Sequence, residues 1–126
     1  MRTMVVFTVS GTDYCLPVDA ARAVRSNAGM IALPAPREHV AGLLAGDPPL
    51  TVVAPFGCDG ERVIVVEVED LVYGLLVDTV AGLRRVDETV LRAAPRGQRR
   101  EIVSGSITVD GHLLLVTDPV AMAVGI

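Results

Sequence analysis

The sequence predicts an all-β fold: two small five-stranded antiparallel β-barrel subdomains, related by an internal repeat, with short helical turns. At a shift of 59 positions, residues 7–25 match residues 66–84 without a gap, and after a slip of four more, residues 40–50 match residues 103–113. A single repeat of this length indicates two copies of one supersecondary unit packed together. The composition, dominated by Val, Leu and Ala with 3% aromatic residues, is typical of small β-barrels.

Each copy begins with a predicted β-hairpin. Residues 4–9 and 14–18 are rich in β-branched side chains and are separated by a turn at 10–13. In the second copy, residues 63–68 and 71–77 flank a turn at Glu69 and Asp70. Nearly every residue of this second hairpin is apolar, which predicts strands that are buried on both faces.

An aspartate follows each hairpin. Asp19 precedes residues 20–24 and Asp78 precedes residues 79–83, and both stretches fit either a single helical turn or a bent strand. An aspartate at such a bend accepts hydrogen bonds from exposed backbone N–H groups. We therefore expect a capping role for both residues.

The rest of each copy is a loop followed by a second hairpin. Residues 27–38 and 93–101 contain Gly and Pro and are predicted loops, and strands are expected at 40–45 and 102–109. Asp110-Gly111 is a strong two-residue turn into a strand at 112–116. The repeat places Asp47-Pro48 at the equivalent turn, where the prolines at 48 and 49 cannot donate ladder hydrogen bonds and so predict an exposed edge. Asp118-Pro119 is expected to begin a last short helix.

The length of 126 residues predicts one domain, 1–126. Its approximate halves are 18–62 and 63–117, with terminal segments that can cross between the barrels. No apolar run reaches the roughly 18 residues that span a bilayer, so we expect no membrane insertion. The N-terminus lacks the pattern of a signal peptide, which favours the cytoplasm.

Composition also limits the kinds of partner and chemistry. The net charge of -4 and the few aromatic residues argue against nucleic acid. Cys15 and Cys58 have no metal-ligand spacing and are expected to be free thiols. Six arginines between positions 84 and 100 indicate either a solvated loop or a contact surface for an acidic protein partner, and both readings stay open.

The sequence contains no recognisable enzyme motif. There is no phosphate-binding loop, no paired Cys or His ligands and no nucleophile elbow, and His39 and His112 lie in unrelated contexts. We therefore expect no catalytic residues, no metal and no cofactor. The features that remain are surfaces: exposed sheet edges that accept a strand, and a groove between the halves that accepts an apolar helix of a partner.

Several runs resemble a known family. They are F-T-V-S-G-T-D-Y-C-L-P-V-D (7–19), V-A-G-L-L (40–44), R-V-I-V-V (62–66), Y-G-L-L-V-D-T-V-A-G-L (73–83) and I-V-S-G-S-I-T-V-D-G-H-L-L-L-V-T-D (102–118). Together they resemble a CheW domain over nearly the whole chain. The resemblance implies two SH3-like five-stranded barrels and a non-enzymatic adaptor. Such an adaptor links the cytoplasmic tip of a methyl-accepting chemoreceptor to the regulatory domain of a CheA-type histidine kinase.

The chain departs from the family pattern at three places. Where the family carries an arginine associated with receptor coupling, this chain has Asp47, which reverses the charge. Ala23 replaces the glutamate that follows the first hairpin of the family. The segment 57–61, which joins the two halves, is about ten residues shorter than is usual in the family. The chain thus resembles a short, divergent member, similar to the second, accessory coupling protein of the Frz system of gliding bacteria.

The resemblance and the repeat together predict the residues that contact a partner. They are Val24, Arg25, Asp47, Leu83, Arg84 and Val86. A core position for Val24 and Leu83, and a merely solvated position for Arg25 and Arg84, remain open alternatives.

Three functions remain open. The first is a working coupler with a rewired groove, whose receptor carries a basic residue facing Asp47. The second is a partial adaptor that binds one partner only and recruits a receptor or caps an array. The third is a double barrel that binds a small ligand, which requires a polar, enclosed pocket.

Overall fold

The computed structural model of the chain describes residues 1–33, 39–57, 60–99 and 101–123. Pro34, Pro36, Cys58 and Arg100, on which parts of the sequence analysis rest, lie outside these ranges. The described residues form ten strands and three short 3-10 helices, and the predicted all-β fold is confirmed. The strands are β1 (Arg2–Val9), β2 (Thr12–Pro17), β3 (Ala21–Ser26), β4 (Val40–Leu44), β5 (Leu50–Val53), β6 (Arg62–Val68), β7 (Leu71–Val77), β8 (Thr79–Val86), β9 (Val103–Val109) and β10 (His112–Thr117), and the 3-10 helices are η1 (Val18–Ala20), η2 (Glu88–Val90) and η3 (Ala121–Ala123).

The strands form two five-stranded sheets. Sheet A has the order β8-β1-β2-β10-β9, and sheet B has the order β3-β6-β7-β5-β4. Neighbouring strands are antiparallel except for β2–β10 in sheet A and β5–β7 in sheet B, which are parallel. If β1–β5 are matched to β6–β10 as the repeat requires, the two strand orders become identical.

The two copies exchange their first hairpins. The hairpin β1–β2 of the first copy lies in sheet A with β8, β9 and β10, and the hairpin β6–β7 of the second copy lies in sheet B with β3, β4 and β5. The chain crosses between the sheets in η1 and at Asp78, so each crossing is short. Each sheet combines strands of both copies, so the sheets do not divide the chain at residue 62. The predicted limits of the two halves, 18–62 and 63–117, stay a prediction.

The two sheets share one large core. On β1, Val5, Phe7 and Val9 pack into this shared core, while Met4 and Val6 pack into a second, smaller cluster. Because successive side chains of a strand point to opposite faces, both faces of β1 are buried. The adjacent Val63 and Ile64 on β6 are each 0% exposed, as predicted for the second hairpin, but Leu71 and Val72 at the start of β7 are 38% and 43% exposed, so the predicted burial on both faces is wrong there.

The predicted caps are only partly present. An Asp78 side-chain oxygen accepts a hydrogen bond from the backbone N–H of Ser10 at 2.7 Å, in the turn of the exchanged hairpin. Asp118 accepts from the backbone N–H of Val120 at 3.0 Å, as expected for the start of the last helix. The 3-10 helix η1 has no side-chain cap, so the capping role predicted for Asp19 is wrong there.

In each sheet, a segment outside the ten strands pairs with an outer edge strand, β4 in sheet B and β9 in sheet A. Ile31 bridges Leu43 on β4, and Arg92 bridges Ser106 on β9. Glycines at matching positions permit this approach. A Cβ atom on Gly42 would lie 2.5 Å from the Ile31 carbonyl oxygen, and one on Gly105 would lie 2.6 Å from that of Arg92.

The segment after β10 packs across both sheets. Met122 and Ala123 of η3 enter the shared core, and the Tyr73 hydroxyl on β7 donates a hydrogen bond to the Pro119 carbonyl oxygen. Burial, together with the nearby Asp118 carboxylate, raises the pKa of Tyr73. Within the described ranges, no helix is long and apolar enough to cross a membrane.

Candidate partner-binding surfaces

A groove lies between the edge strand β3 of sheet B and the edge strand β8 of sheet A. Its cavity volume is about 220 Å³, and its lining is almost entirely apolar. The repeat predicts that β3 and β8 are equivalent strands, and in the structure they occupy equivalent edges. The residues that line the groove are Val5, Val18, Ala21, Arg22, Ala23, Val24, Val80, Gly82 and Leu83.

Val24 and Leu83 are the large apolar side chains that this groove leaves in solvent. Val24 is 50% exposed and Leu83 is 63% exposed, so neither is a core residue. Single exposed apolar residues are common, but two at equivalent positions on opposite sides of one apolar groove make this groove a candidate interaction surface. The structure thus brings together two of the residues that the sequence analysis selected.

Exposed arginines lie on both strands that flank the groove, and Arg22 is the one that lines it. Arg22, which lines it on β3, forms an exposed ion pair with Glu67 at 3.2 Å. Arg84, next to Leu83 on β8, forms an ion pair with Asp110 at 2.8 Å, and both side chains are substantially exposed. Arg25 is also exposed, and it has no ion-pair partner among the described residues. Exposed pairs of this kind contribute about 0–1 kcal/mol, so the arginines remain available to a partner.

Val86 is not on this surface. It is 2% exposed and packs with Met4, Ile107 and Leu114 in the smaller cluster of sheet A. Its selection as a partner contact beside Leu83 rested on the repeat, but Val86 lies outside the groove and lines a separate cavity at one end of sheet A. The repeat preserves a position in the sheet, whereas the burial of a side chain depends on what packs over it.

Asp47 lies exposed in the turn between β4 and β5. The ladder of this hairpin ends at the pair Leu44–Leu50, whereas the ladder of β9–β10 continues to the two-residue turn at Val109–His112. Pro48 and Pro49 lack N–H groups and cannot extend the ladder, so the turn that carries Asp47 is wider than its counterpart.

A second cavity, at one end of sheet A, escaped the sequence analysis. It has a volume of about 350 Å³, with Met4, Val86, Leu91 and Ile107 in its lining. Arg2 and Glu88, an ion pair at 3.4 Å, also line it. The one signal in the sequence is the apolar pair Val90-Leu91 next to the arginine-rich loop, and these side chains are 44% and 45% exposed.

No metal site or reactive thiol is found among the described residues. No group of three or more His, Cys, Asp or Glu side chains in these ranges is arranged to hold a metal ion. Cys15 is a buried free cysteine, and burial raises the pKa of its thiol to about 12. The thiolate is the nucleophilic form, so this side chain is inert near neutral pH.

Comparison with known families identifies the fold. The family model for the CheW-like domain matches residues 50–124, from β5 through η3. The chain belongs to the CheW-like domain family. The proteins of this family are adaptors of chemotaxis signalling, and this chain is accordingly classed as a chemotaxis adaptor. No curated protein sequence matches the chain.

A solved structure supports the same fold. The scaffolding protein TtCheW from Thermoanaerobacter tengcongensis superposes with a TM-score of 0.81 and 21% sequence identity, over 93% of this chain and 84% of that protein. The match confirms that the CheW-like fold extends to residues before 50, where the family model does not match. Val24, Arg25 and Asp47 all lie in that divergent part, whereas Leu83 and Arg84 lie in the matched part.

Proposed function

We propose that this CheW-like chain couples a methyl-accepting chemoreceptor to a CheA-type histidine kinase in the cytoplasm. The observation that carries the proposal is the placement of Val24 and Leu83 on opposite sides of one apolar groove. The family and the fold make the chain a chemotaxis adaptor, and an adaptor acts through the surfaces it exposes.

The groove suits an amphipathic helix from the receptor tip. Helix-in-groove recognition uses apolar side chains spaced along one helical face, which enter a hydrophobic groove. Val24 and Leu83 would contact that face from its two sides, while Arg22 lies where a polar flank of the helix would pass. The receptor helix should therefore carry acidic residues beside its apolar stripe.

A coupler needs a second surface for the kinase. The cavity lined by Leu91 and Ile107 is distinct from the groove, and no residue lines both. Its apolar lining and partly exposed Leu91 fit an apolar side chain of a second protein. We assign this cavity to the regulatory domain of the kinase, so that both partners can bind at once.

A partial adaptor is the second candidate, and Asp47 is the observation that favours it. Asp47 is exposed in a widened turn, where the family carries an arginine associated with receptor coupling. A charge reversal at an exposed contact is worth about 1 kcal/mol and is unfavourable unless the partner has changed to match. A rewired coupler requires a basic receptor residue there, whereas a partial adaptor does not.

Separate binding titrations of purified receptor tip and kinase regulatory domain distinguish these functions. Binding of both partners supports the coupler, binding of one supports the partial adaptor, and binding of neither overturns the proposed function. The variant Asp47→Arg distinguishes a rewired coupler from a partial adaptor. It should weaken receptor binding if the receptor has a basic residue at that contact, and strengthen it if the contact has been lost.

A further inference from the structure

The two sheets are related by an approximate two-fold rotation. If every strand is replaced by its repeat partner, the strand order of sheet A becomes that of sheet B, and the order of sheet B becomes that of sheet A. An operation that exchanges two like bodies, and restores the arrangement when it is repeated, is a two-fold rotation. This rotation exchanges β3 and β8, which form the two walls of the groove. Its axis therefore passes through the groove.

The two walls carry equivalent β-bulges. The pairing register of β3 against β6 skips Arg22, and the register of β8 against β1 skips Ala81. A bulge adds one unpaired residue to a strand and changes the direction in which nearby side chains point. The repeat aligns Arg22 with Ala81 at the shift of 59 positions. The two bulges are thus equivalent both in the sequence and in the structure.

The apolar lining is similar on the two walls. Three pairs of repeat-equivalent residues line the groove, and they are Ala21 with Val80, Ala23 with Gly82, and Val24 with Leu83. A helix that is turned end for end about the axis exchanges its two flanks but meets similar apolar groups. Because apolar contact is non-directional, these pairs discriminate only weakly between the two directions of a bound helix.

The charge is different on the two walls. Arg22 lines the groove, whereas its equivalent Ala81 does not. Among the described residues that line the groove, Arg22 is the only charged one. Its side chain is 57% exposed, and its ion pair with Glu67 lies at the surface, so this pair holds the guanidinium only weakly. One flank of a helix in the groove therefore passes a cation, and the other flank does not.

We propose that Arg22 determines the direction in which the receptor helix lies in the groove. The inference rests on the proposed function, because it takes that helix as the occupant. A helix with acidic residues on one flank of its apolar stripe places this flank against β3, where Arg22 attracts it. The reversed helix would place the same acidic residues against β8, beyond the reach of Arg22. One arginine thus selects between two directions that the apolar walls alone would both accept.

Photo-crosslinking to each flank of the receptor helix tests this inference. The full chain carries a photoreactive side chain at position 24 or 83, and mass spectrometry maps its crosslinks on a purified receptor tip. In the otherwise wild-type chain, position 24 should prefer the acidic flank and position 83 the opposite flank, each by about fivefold or more. With Arg22→Ala, both positions should crosslink to both flanks within about twofold, because the directional contact is lost. With Arg22→Glu, the two preferences should be exchanged.

The matched control is Arg25→Glu, the same charge reversal at an exposed arginine of β3 that does not line the groove. It should leave both flank preferences as in wild type. An unchanged pattern in the Arg22 variants, loss of crosslinks instead of exchange with Arg22→Glu, or an equal exchange with the control would each overturn the inference while the groove remains the receptor site. If neither position 24 nor 83 crosslinks in the wild-type background, the proposed function fails, and this inference fails with it.

Discussion

Val24 and Leu83 are separated by 59 residues in the sequence and line the same groove from two different sheets. The repeat makes them equivalent, and the exchange of hairpins places β3 and β8 at matching edges of sheets B and A. Both side chains are at least half exposed. The duplicated edge strand therefore supplies both sides of one apolar groove.

A glutamate in place of either groove residue should weaken receptor binding. Val24→Glu and Leu83→Glu each place a charge in the apolar contact, and we expect the affinity for the receptor tip to fall about tenfold or more. Both positions are exposed, so the free energy of unfolding should change by less than about 0.5 kcal/mol. Isothermal titration and urea unfolding measure the two quantities.

Leu113→Glu is the control for these variants. Leu113 is 49% exposed on β10 and lies outside both the groove and the second cavity. The control should bind the receptor tip as wild type does. If it weakens binding as much as the groove variants, added negative charge rather than the groove explains the loss.

Leu91→Glu should separate the two partners. Leu91 lines the second cavity and is 45% exposed, so the substitution leaves the core intact but places a charge against apolar lining. Binding of the kinase regulatory domain should fall about tenfold or more, while binding of the receptor tip is unchanged. Loss of both activities, or of neither, would contradict the assignment of separate surfaces.

The segments that pair with β4 and β9 predict a matched pair of stability effects. Gly42→Ala and Gly105→Ala each place a Cβ atom within 2.6 Å of a backbone carbonyl oxygen, that of Ile31 or Arg92, so the segment that carries this oxygen must shift. We expect each variant to lose about 1–3 kcal/mol of unfolding free energy, as is typical of overpacking. Denaturant unfolding measures the loss. Ser104→Ala, at an exposed neighbouring position, should cost less than about 0.5 kcal/mol.

The buried thiol predicts a pH-dependent reactivity. Burial raises the pKa of Cys15 to about 12. The thiolate fraction at pH 8 is then about 10⁻⁴, against about a quarter for an ordinary thiol. In a Cys58→Ser variant, alkylation of Cys15 should be at least about 100-fold slower in the folded chain than in urea.

The raised pKa of Cys15 also predicts how the stability of the folded chain changes with pH. The pKa of Cys15 is higher in the folded chain than in the unfolded chain, so its contribution to stability is complete below the unfolded value of about 8.5 and declines as pH rises toward 12. Equal alkylation rates in the folded and unfolded chain would show that the thiol is accessible.

The sequence predicts the strands, the turns and the repeat because these depend on local patterns. The alternation of residues 4–9 and the Asp110-Gly111 turn can be predicted without knowledge of any tertiary contact. The exchange of hairpins cannot be predicted in this way, because the alternation of apolar residues does not determine which sheet a hairpin joins. The resemblance to the CheW domain supplied the family, and the structure supplied the arrangement.

The site residues were predictable to the extent that strand position decides them. Val24 and Leu83 lie on the edge strands β3 and β8, a placement that the repeat makes equivalent, whereas their exposure depends on what packs over them. The burial of Val86 away from the groove could not be predicted, because it depends on Met4 and Ile107, which are distant in the sequence. The cavity beside Leu91 was missed for the same reason, because residues from both ends of the chain line it.

Photo-crosslinking from the groove tests the central claim most directly. A photoreactive side chain placed singly at position 24 or 83 lies on one of the two sides of the groove, and one at position 113 serves as the control. With receptor tip present, the account predicts crosslinks from 24 and from 83 to the same receptor helix, and none from 113. Crosslinks from only one of the two sides, or to separate receptor segments, would contradict a helix held between Val24 and Leu83.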